Sequence, residues 1–207
     1  MSEIAPIVYV VDDDLSVRES LKFFIDAAGW QPELFETAMD FLSRAKPLVP
    51  SCLVLDLNLP GLNGLDLQKR VAVERPDMPI IFISGHGDVP TSVQAMKAGA
   101  VEFLIKPFSN DTLLNAIHSA LARSRSVLDR ETELQNLRER HALLSRRERE
   151  VMGLVVSGLL NKQVGFELGI SEITVKAHRG RVMQKMEANS FAHLVNIAAK
   201  LGVGGTA

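Results

Sequence analysis

The sequence lacks most of what would place it outside the cytoplasm. It has one cysteine in 207 residues, Cys52, so no internal disulfide can form. Its position in the apolar run CLVLD predicts a buried structural thiol with no redox role. Although 46% of residues are hydrophobic, no apolar run approaches the roughly 20 residues needed to cross a bilayer. A soluble chain with no membrane span is expected. The opening residues MSEIAPIVYV lack a basic region followed by a long apolar stretch and a small-residue cleavage site, so no secretory signal is expected either. These absences together predict a cytoplasmic protein.

Net charge is also small, −2, but it conceals a division. Residues 1–120 hold 9 Lys+Arg against 16 Asp+Glu, a net −7, whereas residues 121–207 hold 14 against 9, a net +5. An acidic half suits a metal ion or a cationic surface, and a basic half suits a polyanion. At this length two domains are expected, one of roughly 120 residues and one of roughly 65.

In the first half, short Val- and Ile-rich runs recur at Ile7–Val11, Cys52–Leu55, Ile80–Ile83 and Val101–Ile105, with a weaker one at Gln31–Phe35. These read as strands. Helical-period segments lie between them: Val17–Ala28, with Leu21, Phe24, Ile25 and Ala28 on one face, then Ala38–Ser43, Gly64–Glu74 and Thr91–Ala98, and one beginning near Asp111. Strands that are apolar almost throughout are expected of a parallel sheet covered on both faces by helices. The alternation predicts an α/β doubly wound, five-stranded parallel sheet. Function in such sheets gathers beyond the carboxyl ends of the strands.

Those ends carry Asp12, Asp13 and Asp14 after the first strand, Asp56 on the third, Ser84 on the fourth, and Lys106 and Pro107 after the fifth. Singly, an aspartate run can cap a helix, a serine can open a turn and a lysine can be solvated. Together they place several carboxylates, a hydroxyl and an amine on one edge. Crowded carboxylates either take up a proton or share a divalent cation, and Mg²⁺ accepts this donor set while bridging to phosphate oxygens. Asp56 could then attack a phosphoryl group as a carboxylate nucleophile.

The motifs VVDDD, LVLDLNLPGLNGLDL, ISGHGD and AVEFLIKPF, falling in order at these strand ends, resemble the receiver domain of bacterial two-component response regulators. The resemblance implies a flavodoxin-like receiver over 1–122. It implies that Asp12 and Asp13 are the acidic metal pair for Mg²⁺ or Mn²⁺, with Asp56 and the backbone carbonyl of Asn58 completing the protein ligands. Asp56 would be the phospho-acceptor, Ser84 the switch hydroxyl, Phe103 the aromatic switch and Lys106 the phosphate-binding amine. From residue type alone, Phe103 could equally be core packing. The resemblance also implies a cis Lys106–Pro107 bond, a sensor histidine kinase as phosphoryl source, and homodimerisation through the fourth helix, fifth strand and fifth helix, roughly residues 91–122. Asp14 reads mainly as a helix-start residue, and His86 could lie near the phosphoryl group or simply in an exposed loop. No catalysis is expected beyond phosphorylation from phospho-donors and self-dephosphorylation. A phosphatase would commonly carry a second Asp two residues after Asp56, where Asn58 stands, and three aspartates would repel the phosphate of a bound flavin.

Ser109 is a plausible N-cap for a helix through Leu113, Leu114, Ile117 and Leu121. Residues 123–141 read as a linker, either a continued helix or short coiled coil with Leu134, Leu137 and Leu144 on one stripe, or a charged flexible tether. The Leu128 to Leu134 spacing breaks a strict heptad. From there on, 142–207 predicts an all-α four-helix domain. Ser145 and Glu148 form a capping box, Gly158 ends the first helix and Lys162–Leu168 is the second. Gly169 turns the chain, Ser171 caps a third helix over Glu172–Met186, and the fourth spans Phe191–Leu201. Val175, Val182 and Met186 point to the core, leaving Lys176, Arg179 and Lys185 outward, as a helix-turn-helix on DNA requires.

The segment NKQVGFELGISEITVKAHRGRVMQKM resembles the LuxR-type output domain of the NarL and FixJ class of response regulators. By that resemblance Lys176 and Ala177 face bases of double-stranded promoter DNA, Lys162, Thr174, His178, Arg179 and Lys185 contact its backbone, and RNA polymerase is a further partner. Three positions depart from the pattern. Gly180 stands where relatives can present a longer side chain, at a cost of about 1 kcal/mol relative to Ala inside a helix. Leu160 and Gly165 replace residues more often polar and Ala.

Overall fold

The computed structural model describes residues 5–45, 47–85 and 89–204. The chain divides into two compact units, Met1–Asp129 and Arg130–Ala207. In the first, strands β1 (Ile7–Val11), β2 (Gln31–Phe35), β3 (Ser51–Asp56), β4 (Ile80–Ser84) and β5 (Glu102–Ile105) alternate with helices α1 (Leu15–Ala27), α2 (Ala38–Ser43), α3 (Gly64–Glu74), α4 (Val89–Lys97) and α5 (Asn110–Ala142). All strands are parallel, in the order β2-β1-β3-β4-β5. The doubly wound α/β fold expected from the alternation is borne out.

Successive side chains of a strand point to opposite faces, and the sheet sorts its apolar residues accordingly. Tyr9, Val11, Leu53, Leu55 and Phe82 pack with Phe41, Leu67 and Ala95 on one face. Val8, Val10, Val54, Ile81 and Ile83 pack with Leu21, Ile25 and Ile117 on the other, together with Cys52. Cys52 is fully buried and its thiol pKa is pushed up by desolvation, which leaves it unreactive. The weaker sequence signal of β2 has a simple cause: it is an edge strand, half-buried, and tolerates Pro32.

Asp14 caps α1, its carboxylate accepting from the backbone N–H of Ser16 at 2.7 Å and of Val17 at 3.4 Å. Of the expected core face of this helix, Leu21 and Ile25 are buried and Phe24 is half-buried, but Ala28 is exposed. Ala28 is the C-cap, after which the chain turns at Gly29. Arg18 is buried instead.

Helix α5 is continuous across residues 123–141, so this stretch is helical rather than a loose tether. Its early part belongs to the first unit, where buried Ser124 accepts through its hydroxyl from the Ser51 backbone N–H at 3.1 Å. Its later part belongs to the second, where Leu137 is buried among Met152, Met186 and Leu194.

The second unit continues with α6 (Arg146–Val156), α7 (Asn161–Leu168), α8 (Glu172–Lys185) and α9 (Phe191–Leu201). The Ser145–Glu148 capping box forms in both directions, at 3.2 and 2.8 Å. Gly169 is left-handed at φ 64° and closes α7. Gly165 is required by close approach: a Cβ there would lie 2.7 Å from the Ile170 carbonyl oxygen across the turn into α8. Glycine in place of alanine therefore tightens this joint.

Candidate functional site

The carboxyl ends of β1, β3 and β5 converge as the register dictates. Val11 pairs with Leu55, so Asp12 and Asp56 are the next residues out on adjacent strands. Both are buried, Asp12 at 1% and Asp56 at 6% exposure. The ammonium of Lys106 bridges them, 2.7 Å from Asp12 Oδ2 and 2.8 Å from Asp56 Oδ1. Burial pushes the Asp12 pKa up, against the pull of the Lys106 hydrogen bond and the Asp14 backbone N–H. Lys106 is pulled down by its own burial, yet its hydrogen bonds to Asp12 and Asp56 hold its pKa above the usual value. Two buried carboxylates thus share one cation, as crowded charges must.

The other expected residues fall as follows. Asp13 is exposed, and among the described residues no three His, Cys, Asp or Glu side chains are gathered closely enough to hold a metal. The structure therefore brings together Asp12, Asp56 and Lys106 and leaves Asp13 at the rim. The Asn58 backbone N–H donates to Asp56 Oδ2 at 2.7 Å, fixing that carboxylate. Ser84 is fully buried at the end of β4, and its carbonyl accepts from the Lys106 backbone N–H at 2.8 Å. Phe103 is half-buried and stacks on Phe82, ring centroids 6.1 Å apart. The Lys106–Pro107 bond is cis. His86 lies outside the described residues.

Arg18 is a participant that sequence reading missed. Its guanidinium donates to the Asp12 carbonyl at 2.6 Å, pinning the turn that carries the aspartates. An arginine one helical turn into an amphipathic helix gave no signal of this.

In the second unit α8 presents one face to solvent while Val175 and Val182 are fully buried. Lys162, Thr174, Lys176 and Ala177 are exposed. Lys176 pairs with Glu172 at 3.0 Å. His178 is half-buried, its Nδ1 without a hydrogen-bond partner among the described residues. Arg179 is tied inward, donating to Asn161 Oδ1 at 3.2 Å and lying 4.5 Å over the Phe191 ring. Lys185 donates to buried Glu148 at 2.7 Å and to the Leu143 carbonyl at 3.2 Å. Of the three cations expected to face outward, Lys176 and Lys185 are exposed and Arg179 is half-buried; Arg179 and Lys185 also carry structural partners, on α7 and α6 respectively. Arg181, exposed beside this face, was not anticipated.

A five-stranded receiver-like sheet with this cluster, followed by a helix-turn-helix, defines a two-domain regulator. The response regulator receiver domain family matches residues 8–118, and the family of bacterial regulatory proteins described as luxR matches residues 142–198. The chain belongs to the two-component response regulators, with a luxR-family DNA-binding domain, and is a FixJ-like transcriptional regulator. Nodulation protein W of Bradyrhizobium diazoefficiens is 48% identical over 197 residues, covering 95% of this chain and 87% of that protein. Transcriptional regulatory protein FixJ of the same organism is 43% identical over 196 residues, covering 95% and 96%. The solved structure of response regulator StyR superposes with TM-score 0.83 at 45% identity, covering 95% of this chain and 99% of that one. A receiver implies a kinase partner and a luxR-type domain implies DNA. Receiver domains generally bind Mg²⁺ at the phosphorylation site. Among the described residues no helix is long and apolar enough to cross a membrane.

Proposed function

We propose that Asp56 accepts a phosphoryl group from a sensor histidine kinase and that this modification controls promoter binding by α8. The reading is carried by one observation, the Lys106 ammonium seated between Asp12 and Asp56. An Asp56 carboxylate oxygen attacks phosphorus, the phosphorus–nitrogen bond of the donor phosphohistidine breaks, and an acyl phosphate and a free imidazole result. Asp12, Asp56 and the Asn58 carbonyl, with Asp13 turned in from the rim, would hold Mg²⁺ or Mn²⁺; the donor chemistry of this set, hard oxygens with excess negative charge, fits such an ion. The dication supplies positive charge that offsets repulsion between the carboxylates and the incoming phosphoryl group.

Lys106 then pairs with a phosphoryl oxygen in place of a carboxylate, and the Ser84 hydroxyl is drawn to another. Movement at Ser84 changes the space beside β5 and lets Phe103 reorient on Phe82. For a useful switch the phosphoryl contacts must differ between the two states by about 1–3 kcal/mol. Apart from gaining this group and losing it to water, the chain catalyses nothing.

The kinase would dock beside Lys106, where a groove of about 370 Å³ lined by Val17, Leu21, Phe24, Pro107 and Phe108 can take a few apolar side chains of a partner. Homodimerisation through α4, β5 and α5 is supported by partly exposed Val93 and Met96 one turn apart on α4 and by Ile105 on β5. The regulator works in the cytoplasm and acts on RNA polymerase at the promoter. A DNA footprint of the full chain, with and without acetyl phosphate and Mg²⁺, tests the reading. Protection should appear at lower protein concentration after phosphorylation, and not for Asp56→Ala; identical footprints would contradict it.

A further inference from the structure

The solvent face of α8 is unusual for a surface meant to meet a polyanion. Residues 173, 176, 177 and 180 follow the i, i+3, i+4, i+7 spacing and so share one stripe, opposite the buried Val175 and Val182. That stripe reads Ile173, Lys176, Ala177, Gly180. Only one of the four is charged. Ile173 is 80% exposed, in the first turn of the helix after the Ser171 cap.

Gly180 ends the stripe, and nothing among the described residues asks for it. A Cβ built at this position meets no atom within 4 Å. Its φ is not among the positive ones. The residue is an unfavourable choice inside a helix, and neither packing nor backbone geometry compensates for it. An outside body that comes too close for a side chain would.

Resting on the reading of α8 as the DNA-facing helix, we propose that Ile173 and Gly180 are specificity-determining residues. Ile173 packs against the C5-methyl group of a thymine in the major groove, and bare Gly180 lets the helix backbone approach the base edges. The major groove offers an apolar group only at that methyl, and an exposed isoleucine matches it. From residue 173 to 180 the helix rises about 10 Å, which spans about three base pairs. Lys176 within the stripe and Arg181 next to its end are exposed and supply phosphate attraction without reading methyl groups. Glu172 on the same turn, paired with Lys176, opposes indiscriminate binding to phosphate.

The test uses the full-length chain, before and after treatment with acetyl phosphate and Mg²⁺. A preferred site is first enriched from random duplexes. Each thymine of that site is then replaced singly by deoxyuridine, which removes only the methyl group. At one thymine or more, wild type should lose about three- to tenfold in affinity. Ile173→Ala should bind the thymine and deoxyuridine forms equally there. Gly180→Ala should melt a few degrees higher, as alanine favours the helix, yet bind the enriched site at least about tenfold more weakly.

Indifference of wild type to every deoxyuridine, or a site without thymine, overturns the role of Ile173. The same follows if Ile173→Ala keeps the full penalty. Unchanged affinity of Gly180→Ala overturns close approach. Failure of the wild-type chain to bind or enrich any duplex overturns the DNA-binding reading itself, and the two failures are thus told apart.

Discussion

The ammonium of Lys106 lies 2.8 Å from Asp56 Oδ1, although 50 positions separate the two residues in sequence. It also holds Asp12 Oδ2, 94 positions away. One cation thus bridges two buried carboxylates that the fold sets side by side.

Removing that cation should expose the repulsion. Lys106→Met is expected to destabilise the first unit by about 2 kcal/mol in the absence of divalent ions, the usual scale for a partly buried pair that loses one partner. Mg²⁺ should then restore more stability to the variant than it adds to wild type, because the metal no longer competes with the amine. Urea unfolding with and without Mg²⁺ reads both effects; an equal metal increment in the two proteins would contradict the shared-cation account.

In the second unit, Glu148 offers a pH handle. The Lys185 hydrogen bond, with that from the Ser145 backbone, lowers its pKa from 4.5 to about 2. A carboxylate depressed on folding contributes stability that is present above its unfolded pKa and lost as pH falls through the folded one. Wild type should therefore melt above Glu148→Gln by a constant margin at neutral pH, and the margin should shrink between about pH 4.5 and about pH 2. A margin independent of pH across that window would show that Lys185 does not stabilise the ionised form.

Arg75 and Asp77 form a buried pair at 2.5 Å near the start of β4, and the same guanidinium donates to the Ser51 hydroxyl and the Pro47 carbonyl. Asp77→Asn strands the arginine charge in a site about 10% exposed, and should cost about 3 kcal/mol. Denaturant unfolding checks this, and a loss under about 1 kcal/mol would mean that the remaining acceptors suffice.

Charge on α8 makes a further prediction. Lys176→Ala should weaken specific binding without unfolding the domain and lower the salt slope by about one unit. Glu172→Gln should raise affinity for all duplexes alike. Titrations over a range of salt concentrations distinguish these outcomes from no change.

How much of this was legible follows from the range of each interaction. Parallel strands covered on both faces are apolar throughout, so β1, β3 and β4 announced themselves, and the residues at or just past their ends, Asp12, Asp56 and Ser84, could be read off in order. Local caps were equally visible: Asp14, Ser145 with Glu148, and Ser171 each bond within three residues. Long-range pairings left no trace in spacing. Nothing in the sequence joins Ser51 to Ser124, or pairs exposed Lys185 with buried Glu148, because only the packed fold brings them within reach. Arg18 was hidden differently, since a buried arginine on a helix face is indistinguishable in sequence from a solvated one until the Asp12 carbonyl is placed above it.

The central claim is that Asp56 becomes transiently phosphorylated. Intact-mass measurement of the folded full-length chain, incubated with acetyl phosphate and Mg²⁺, tests it most directly. Wild type should gain one phosphoryl group that hydroxylamine removes, and Asp56→Ala should gain none. A wild-type chain that stays unmodified, or a variant that takes up the same group, would contradict the account.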